Sequence, residues 1–331
     1  MYMIRQFMQS NKYAIFGCLL SLLMSVNSGT LFAQQEQMYS QYMFNMLHIN
    51  PAYAGNRGAS DNITGLYRKQ WVGFTGAPTT GTLSWDRRAE DSNIGYGLEI
   101  YNDKLGIETT NGMQAFFSYF IPFENSFLSF GLSGGVLNYR AAYSESDIID
   151  SNDPQYQADV NGWLPTAGFG VLFATDSWYM GFSIPALLHT KIDVSDYLNE
   201  NGFGASNHYF LTGGYIFDCS DYIKVKPSAL IKAVKGSPIQ FDLNTNVWYN
   251  DYIGAGISYR INDALVAMFE LQVLPQLRIG YSYDYTLTSI KAYSRGTHEV
   301  MLRYEIPMGS DRGGGVNHQE EEGLTRNYRY Y

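Results

Sequence analysis

The clearest β-strand pattern in the chain is Leu277-Arg278-Ile279-Gly280-Tyr281-Ser282-Tyr283-Asp284-Tyr285. Hydrophobic side chains at the odd positions alternate with Arg, Gly, Ser and Asp at the even positions. This period of two is typical of a β-strand, whereas a helix repeats about every 3.6 residues. Ile94-Gly95-Tyr96-Gly97-Leu98-Glu99-Ile100 shows the same pattern, again with one apolar and one polar face. The sequence therefore predicts an all-β chain.

The alternation continues along most of the chain beyond residue 57, with turn residues at short intervals. It predicts fourteen strands near 58–71, 79–88, 93–102, 112–121, 127–139, 164–174, 177–185, 207–217, 223–234, 239–249, 252–260, 265–274, 277–285 and 297–306. Segments of about ten residues match the length that a tilted strand needs to cross a bilayer. Aromatic residues near predicted strand ends, including Trp71, Tyr139, Trp178, Tyr179 and Trp248, are expected at the membrane interfaces.

The connections between these strands differ on the two sides of the predicted sheet. Tight turns follow every second strand, whereas the other connections include the longer segments 103–111, 140–163, 186–206 and 286–296. A transmembrane antiparallel up-and-down β-barrel has this asymmetry, with short periplasmic turns and longer outer loops. An even strand number would place both chain ends in the periplasm, and the outward face would contact outer-membrane lipid. A secreted β-sandwich shares the alternation but does not account for the two kinds of connection.

The ends of the chain carry features of export and of an unstructured tail. Residues 1–33 combine basic Arg5 and Lys12 with an apolar run, which predicts a signal peptide cleaved near Ala33. The formal net charge is −9 and becomes −11 without these two cations, which argues against nucleic acid as a partner. Cys219 would then be the only cysteine, so no intramolecular disulfide is expected. Residues 307–331 contain glycine and glutamate runs that predict a flexible periplasmic tail.

Residues 34–57 do not alternate and precede the first strand of the predicted barrel, 58–306. Their apolar residues would form one face of a short helix that ends before Asn50-Pro51, because the residue before proline disfavours the helical conformation. We expect this plug segment to enter the lumen from the periplasm. There Gln41, Asn45, Asn50 and Tyr53 would hydrogen-bond to the wall. The alternative is that the segment provides a docking surface for a secretion partner.

Two motifs in this segment carry a resemblance to a known family. Ser40-Gln41-Tyr42-Met43-Phe44-Asn45, followed by Asn50-Pro51-Ala52-Tyr53-Ala54-Gly55, resembles the opening signature of the PorP/SprF family of Bacteroidetes outer-membrane proteins. The resemblance implies a non-enzymatic component of type IX secretion or gliding. Its partners would be the C-terminal domain of a secreted surface adhesin, periplasmic secretion lipoproteins, or both. The residues expected to bind a partner or form the plug are Gln41, Tyr42, Phe44, Asn45, Asn50, Pro51, Tyr53 and Gly55.

Other functions have weaker support in the sequence. The segment 131–135 matches the Gly-x-Ser-x-Gly nucleophile motif, but it lies inside a predicted strand and not at the required strand-turn-helix junction. The five histidines are scattered without metal-ligand spacing, so we expect neither a metal site nor a cofactor. The alternative from another functional class is an outer-membrane channel for small or hydrophobic solutes, since fold alone does not determine function.

Overall fold

The computed structural model describes residues 38–57, 60–143, 159–188, 191–192, 203–204, 207–235 and 237–307. The predicted signal peptide 1–33 and the cleavage point near Ala33 lie outside these residues. So do positions 34–37 of the plug segment and the predicted tail beyond Pro307. All strands and the described plug residues belong to one compact unit.

Strands make up most of the described chain. They are β1 Ser60–Lys69, β2 Thr79–Arg88, β3 Ile94–Leu105, β4 Glu108–Pro122, β5 Ser126–Ala141, β6 Val160–Thr175, β7 Trp178–Ile184, β8 Lys191–Ile192, β9 Phe203–Gly204, β10 His208–Tyr215, β11 Phe217–Ser220, β12 Ile223–Val234, β13 Gln240–Tyr249, β14 Ile253–Arg260, β15 Ala264–Leu274, β16 Leu277–Thr286 and β17 Thr297–Pro307. A 3-10 turn at Ser289–Ala292 lies between β16 and β17.

Fourteen of these strands form a closed antiparallel barrel, which confirms the predicted fold class. Each pairs with its neighbour in chain order, and β10 pairs with β12. The first and last strands close the barrel over a register that runs from Ser60 opposite Pro307 to Lys69 opposite His298. The short strand β11 adds to β12, while β8 and β9 form a separate hairpin. Closure pairs the backbone polar groups that an open sheet edge would expose to lipid.

The barrel is apolar outside and polar inside. In β17, Val300 and Leu302 are more than 40% exposed on the outer face, whereas Glu299 and Arg303 are buried in the lumen. A water-soluble fold has the opposite arrangement, so the outer surface matches a hydrocarbon environment. Among the described residues, no helix is long and apolar enough to cross a bilayer.

The two ends of the barrel differ in their connections. Ser60 and Pro307 lie at the end that also carries the turns after β2, β4, β6, β13 and β15, called here the short-turn end. The opposite, long-loop end carries segments 70–78 and 287–296 and the two longest connections, after β5 and β7. The expected loop at 103–111 is wrong. There β3 and β4 continue to a tight hairpin turn, and the Asn102 side chain donates to the Asn111 side chain across it at 2.8 Å.

Some aromatic residues lie elsewhere than expected. Tyr139, Tyr179 and Trp248 are buried and therefore do not form interface girdles, whereas Trp178 is exposed. The reason is the strand period itself, since adjacent residues such as Trp178 and Tyr179 point to opposite faces of the sheet. Proximity to a strand end therefore does not determine which face an aromatic side chain occupies.

Candidate functional site: the plugged lumen

The described plug residues form three 3-10 turns, at Tyr42–Phe44, Met46–His48 and Pro51–Tyr53, instead of the single helix expected. Asn45 separates the first two turns because its backbone leaves the helical region, with φ −135° and ψ 65°. Asn50 caps the third turn by accepting a hydrogen bond from the Ala52 backbone N–H at 2.9 Å. Pro51 occupies the first position of that turn, where its missing N–H has no cost.

This segment lies inside the barrel, because side chains from strands on opposite sides of the wall reach it. One side, called here the charged half, comprises β12–β17 and β1. Its buried inward charged residues are Arg68, Lys226, Lys232, Asp242, Arg260, Glu270, Arg278, Asp284, Glu299 and Arg303. The other side, the small-residue half, comprises β3–β7 and, apart from Glu99 on β3, presents mainly glycine and serine to the plug.

The charged half binds the start of the described plug segment through one buried carboxylate. Glu299 accepts hydrogen bonds from the backbone N–H groups of Ser40 and Gln41, both at 2.8 Å. Arg68 donates to Glu299 at 2.9 Å across the β1–β17 closure and to Asp284 at 2.8 Å. Buried charges require such compensation because their desolvation costs several kcal/mol in an uncompensated state.

The Ser40 hydroxyl extends this network. It donates to Asp284 at 2.6 Å and accepts from Arg68 at 2.8 Å. Arg260 reaches the same hydroxyl at 3.4 Å and pairs with Asp242 at 3.3 Å. Two arginines and three carboxylates from five strands are thus arranged around the beginning of the plug.

The small-residue half holds the plug through its backbone. The hydroxyls of Ser118, Ser129 and Ser183, on β4, β5 and β7, donate to the carbonyls of Ala54, Ala52 and Ile49 at 2.6–2.8 Å. Asn50 donates in the reverse direction to the carbonyls of Val171 and Phe182, at 3.1 and 3.4 Å. The three serine bonds satisfy plug carbonyls that the short 3-10 turns leave without partners.

Glycine in the wall allows the plug backbone to approach closely. A Cβ atom at Gly131 would overlap the backbone of Pro51 and Ala52, and one at Gly95 would overlap the Ala54 carbonyl. Gly55 is also required on the plug side, because it has a φ of 69° and its backbone N–H donates to Asp86 at 2.9 Å. Residues 131–135 therefore serve packing within β5 and do not form a strand-turn-helix junction.

The middle of the plug contacts both halves. Asn45 accepts from Ser84 at 3.1 Å and donates to Glu99 at 3.4 Å, and His48 lies 2.8 Å from the same carboxylate. The Arg303 guanidinium lies over the Phe44 ring at 5.4 Å.

The structure places the eight residues singled out in the sequence together in the lumen. Gln41, Asn45, Asn50 and Gly55 hydrogen-bond to the wall, while Tyr42, Phe44, Pro51 and Tyr53 are buried.

Ser40 was noted only as part of the family motif, and the wall partners Arg68, Asp284 and Glu299 were not among the expected site residues. The signal available was a charged residue on the polar face of an apolar strand, as with Glu299 beside Val300.

The long-loop end carries a second ordered feature. Backbone hydrogen bonds join the β1–β2 loop to the β16–β17 loop, from Val72 to Gly296 and from Arg295 to Val72. The β3–β4 turn joins the same surface, because the Gly106 N–H donates to the Gly76 carbonyl. This joined surface, here the loop platform, exposes the side chains of Phe74, Leu105, Leu287, Lys291, Tyr293 and Arg295. Within the part of the chain that the structure describes, no group of three His, Cys, Asp or Glu residues is placed to hold a metal ion.

Comparison with known proteins shows which family this chain belongs to. The family model described as type IX secretion system membrane protein PorP/SprF matches residues 31–304. The chain belongs to the PorP/SprF family. This PorP/SprF protein is thus an outer-membrane β-barrel of the type IX secretion system, and family and fold are not those of an enzyme class. Among curated proteins, none matches its sequence.

Solved structures with a similar fold are outer-membrane barrels. The toluene transporter TbuX of Ralstonia pickettii has 9% identity and a TM-score of 0.49, covering 80% of this chain and 93% of its own. Omp33 of Acinetobacter baumannii has 7% identity and a TM-score of 0.42, covering 76% of this chain and all of its own. A Pseudomonas aeruginosa FadL homologue has 13% identity and a TM-score of 0.40, covering 74% and 89%. The likeness concerns the fold alone.

Proposed function

We propose that this PorP/SprF protein is a non-enzymatic docking component of type IX secretion. It binds the C-terminal domain of a secreted surface adhesin, periplasmic secretion lipoproteins, or both, and retains them at the outer membrane. The observation that carries the proposal is the filled lumen, in which Glu299 on one side and Ser118, Ser129 and Ser183 on the other hold the plug. A barrel closed in this way has its two ends available for protein partners.

The long-loop end offers a surface suited to a secreted partner. Tyr293 is 75% exposed and Phe74 is 47% exposed on the loop platform, and aromatic residues are enriched at protein interfaces. Lys291 and Arg295 add positive charge to this surface although the whole chain is acidic. Backbone hydrogen bonds between the loops order the platform before binding, which lowers the entropic cost of association.

The short-turn end offers a separate surface for a periplasmic partner. Phe123, Tyr222 and Tyr252 are exposed in or next to its tight turns. Because the two aromatic surfaces lie at opposite ends of the barrel, one molecule has room for an outer and an inner partner at the same time.

The test is binding of the detergent-solubilised protein to two purified probes, an adhesin C-terminal domain and a periplasmic secretion lipoprotein. We expect Phe74→Ala with Tyr293→Ala to weaken adhesin binding by about 30-fold, the effect of losing a hot-spot aromatic contact. Tyr222→Ala with Tyr252→Ala changes the short-turn end instead. This variant should bind the adhesin domain like the wild-type protein and should bind the lipoprotein more weakly. Binding of neither probe by the wild-type protein would refute the proposal.

A second measurement separates docking from transport. The wild-type protein in planar bilayers should show no steady conductance, because the plug is bonded to strands around the lumen. Sustained conductance together with solute entry into liposomes would instead support a channel for small or hydrophobic solutes.

A further inference from the structure

The first described residues of the plug lie at the long-loop end of the barrel. The Tyr39 hydroxyl hydrogen-bonds to Thr82, near the long-loop end of β2. Ser40 contacts Asp284 and Glu299, each two residues from the long-loop end of its strand. The plug residues that come first in the chain are therefore level with the mouth from which the long loops emerge.

The last plug residues lie toward the opposite end. Gly55 bonds to Asp86, two residues from the short-turn end of β2, and Ala54 packs against Gly95 at the same end of β3. The chain then enters β1 at Ser60, which pairs with Pro307 at the short-turn end. The plug segment thus runs through the lumen from the long-loop end to the short-turn end.

We infer that the amino-terminal end of the described plug, at Met38, opens at the outer face of the membrane. Long loops of such barrels are extracellular and short turns are periplasmic. The inference replaces the expectation that the segment enters from the periplasm, and it does not depend on the proposed function. Met38 and Tyr39 line a small cleft together with Phe210.

The chain supplies an internal reference for a test of this topology. Cys219 is an exposed free cysteine on β11, at the short-turn end. Ser289, an exposed residue in the 287–296 loop, marks the long-loop end. Gln37→Cys and Ser289→Cys are each made with Cys219→Ser, and the wild-type chain is the third sample. Intact cells are treated with a membrane-impermeant maleimide before and after permeabilisation of the outer membrane.

We expect Gln37→Cys to react equally before and after permeabilisation, as Ser289→Cys does, whereas Cys219 reacts only afterwards. Reaction of Gln37→Cys only after permeabilisation, or no reaction in either condition, overturns the inference. An epitope inserted between Gln37 and Met38 gives an independent reading, since antibody must bind it on intact cells. Heat-modifiable migration of each variant on gels verifies that the barrel has folded.

Discussion

The two halves of the lumen wall hold the same plug by different physical means. In the charged half, the guanidinium of Arg68 and the carboxyl groups of Asp284 and Glu299 hydrogen-bond to the plug. In the small-residue half, glycine lets the backbone approach and serine hydroxyls bind its carbonyls. The first half should be sensitive to loss of charge and the second to added volume. Because contacts reach the plug from opposite sides of the wall, they restrict its movement both across the lumen and along the barrel axis.

The largest effect is expected in the charged half, from Glu299→Ala. The substitution removes the acceptor of two plug N–H groups and one partner of the buried Arg68. Breaking a buried ion pair by deleting one partner costs about 3–5 kcal/mol. Thermal unfolding of the detergent-solubilised barrel measures the loss. Glu90→Ala, at a 69% exposed position in a turn, is the control, and an equal change in both variants would contradict the charged-half description.

A double substitution sharpens this result. Each single change, Glu299→Ala or Arg68→Met, leaves the other member of the buried pair without one of its partners. The double variant should therefore lose less stability than the sum of the two single losses. If the two losses simply add, Arg68 and Glu299 are not coupled.

A smaller effect is expected from Gly131→Val in the other half. Its side chain would overlap the plug backbone at Pro51 and Ala52, and overpacking costs about 1–3 kcal/mol. Displacement of the plug should also produce conductance in planar bilayers. Gly134→Ala is the matched control, since a Cβ atom there has no neighbour within 4 Å. Similar behaviour of both variants would show that close approach at Gly131 does not matter.

The smallest effects should come from single hydroxyls. Ser118→Ala and Ser129→Ala each remove one hydrogen bond to a plug carbonyl, which should lower the free energy of unfolding by about 0.5–1.5 kcal/mol. Ser289→Ala, on an exposed loop, should leave it unchanged. Losses above those of Gly131→Val would reverse the order expected for this half.

Local alternation was sufficient to predict the barrel but not its strand ends. The stretch Leu277–Tyr285 falls within β16, as its period of two requires. Asn111, in contrast, was assigned to the loop 103–111, yet it pairs with Asn102 where β3 and β4 extend past the apolar belt. Polar residues at these positions show that the strands have left the apolar belt, and they do not mark the point where the strands end.

The motif residues that lie in the lumen were singled out from the sequence, whereas the wall residues that contact them were not. Ser40 and Glu299 are 259 positions apart, so their contact depends on the register of the whole barrel. The direction of the plug had no local signal either, because a motif such as Asn50-Pro51-Ala52-Tyr53 does not encode its height along the barrel axis.

The position of Glu299 has a consequence for biogenesis. This carboxylate is on the last strand and Arg68 is on the first, so the binding site for Ser40 and Gln41 exists only after both ends of the sheet have met. Translation therefore reaches the final strand before the plug can be fully bound. Insertion of the plug and completion of the barrel therefore become one cooperative event. A chain truncated before β17 lacks Glu299, the carboxylate that accepts the hydrogen bonds of Ser40 and Gln41.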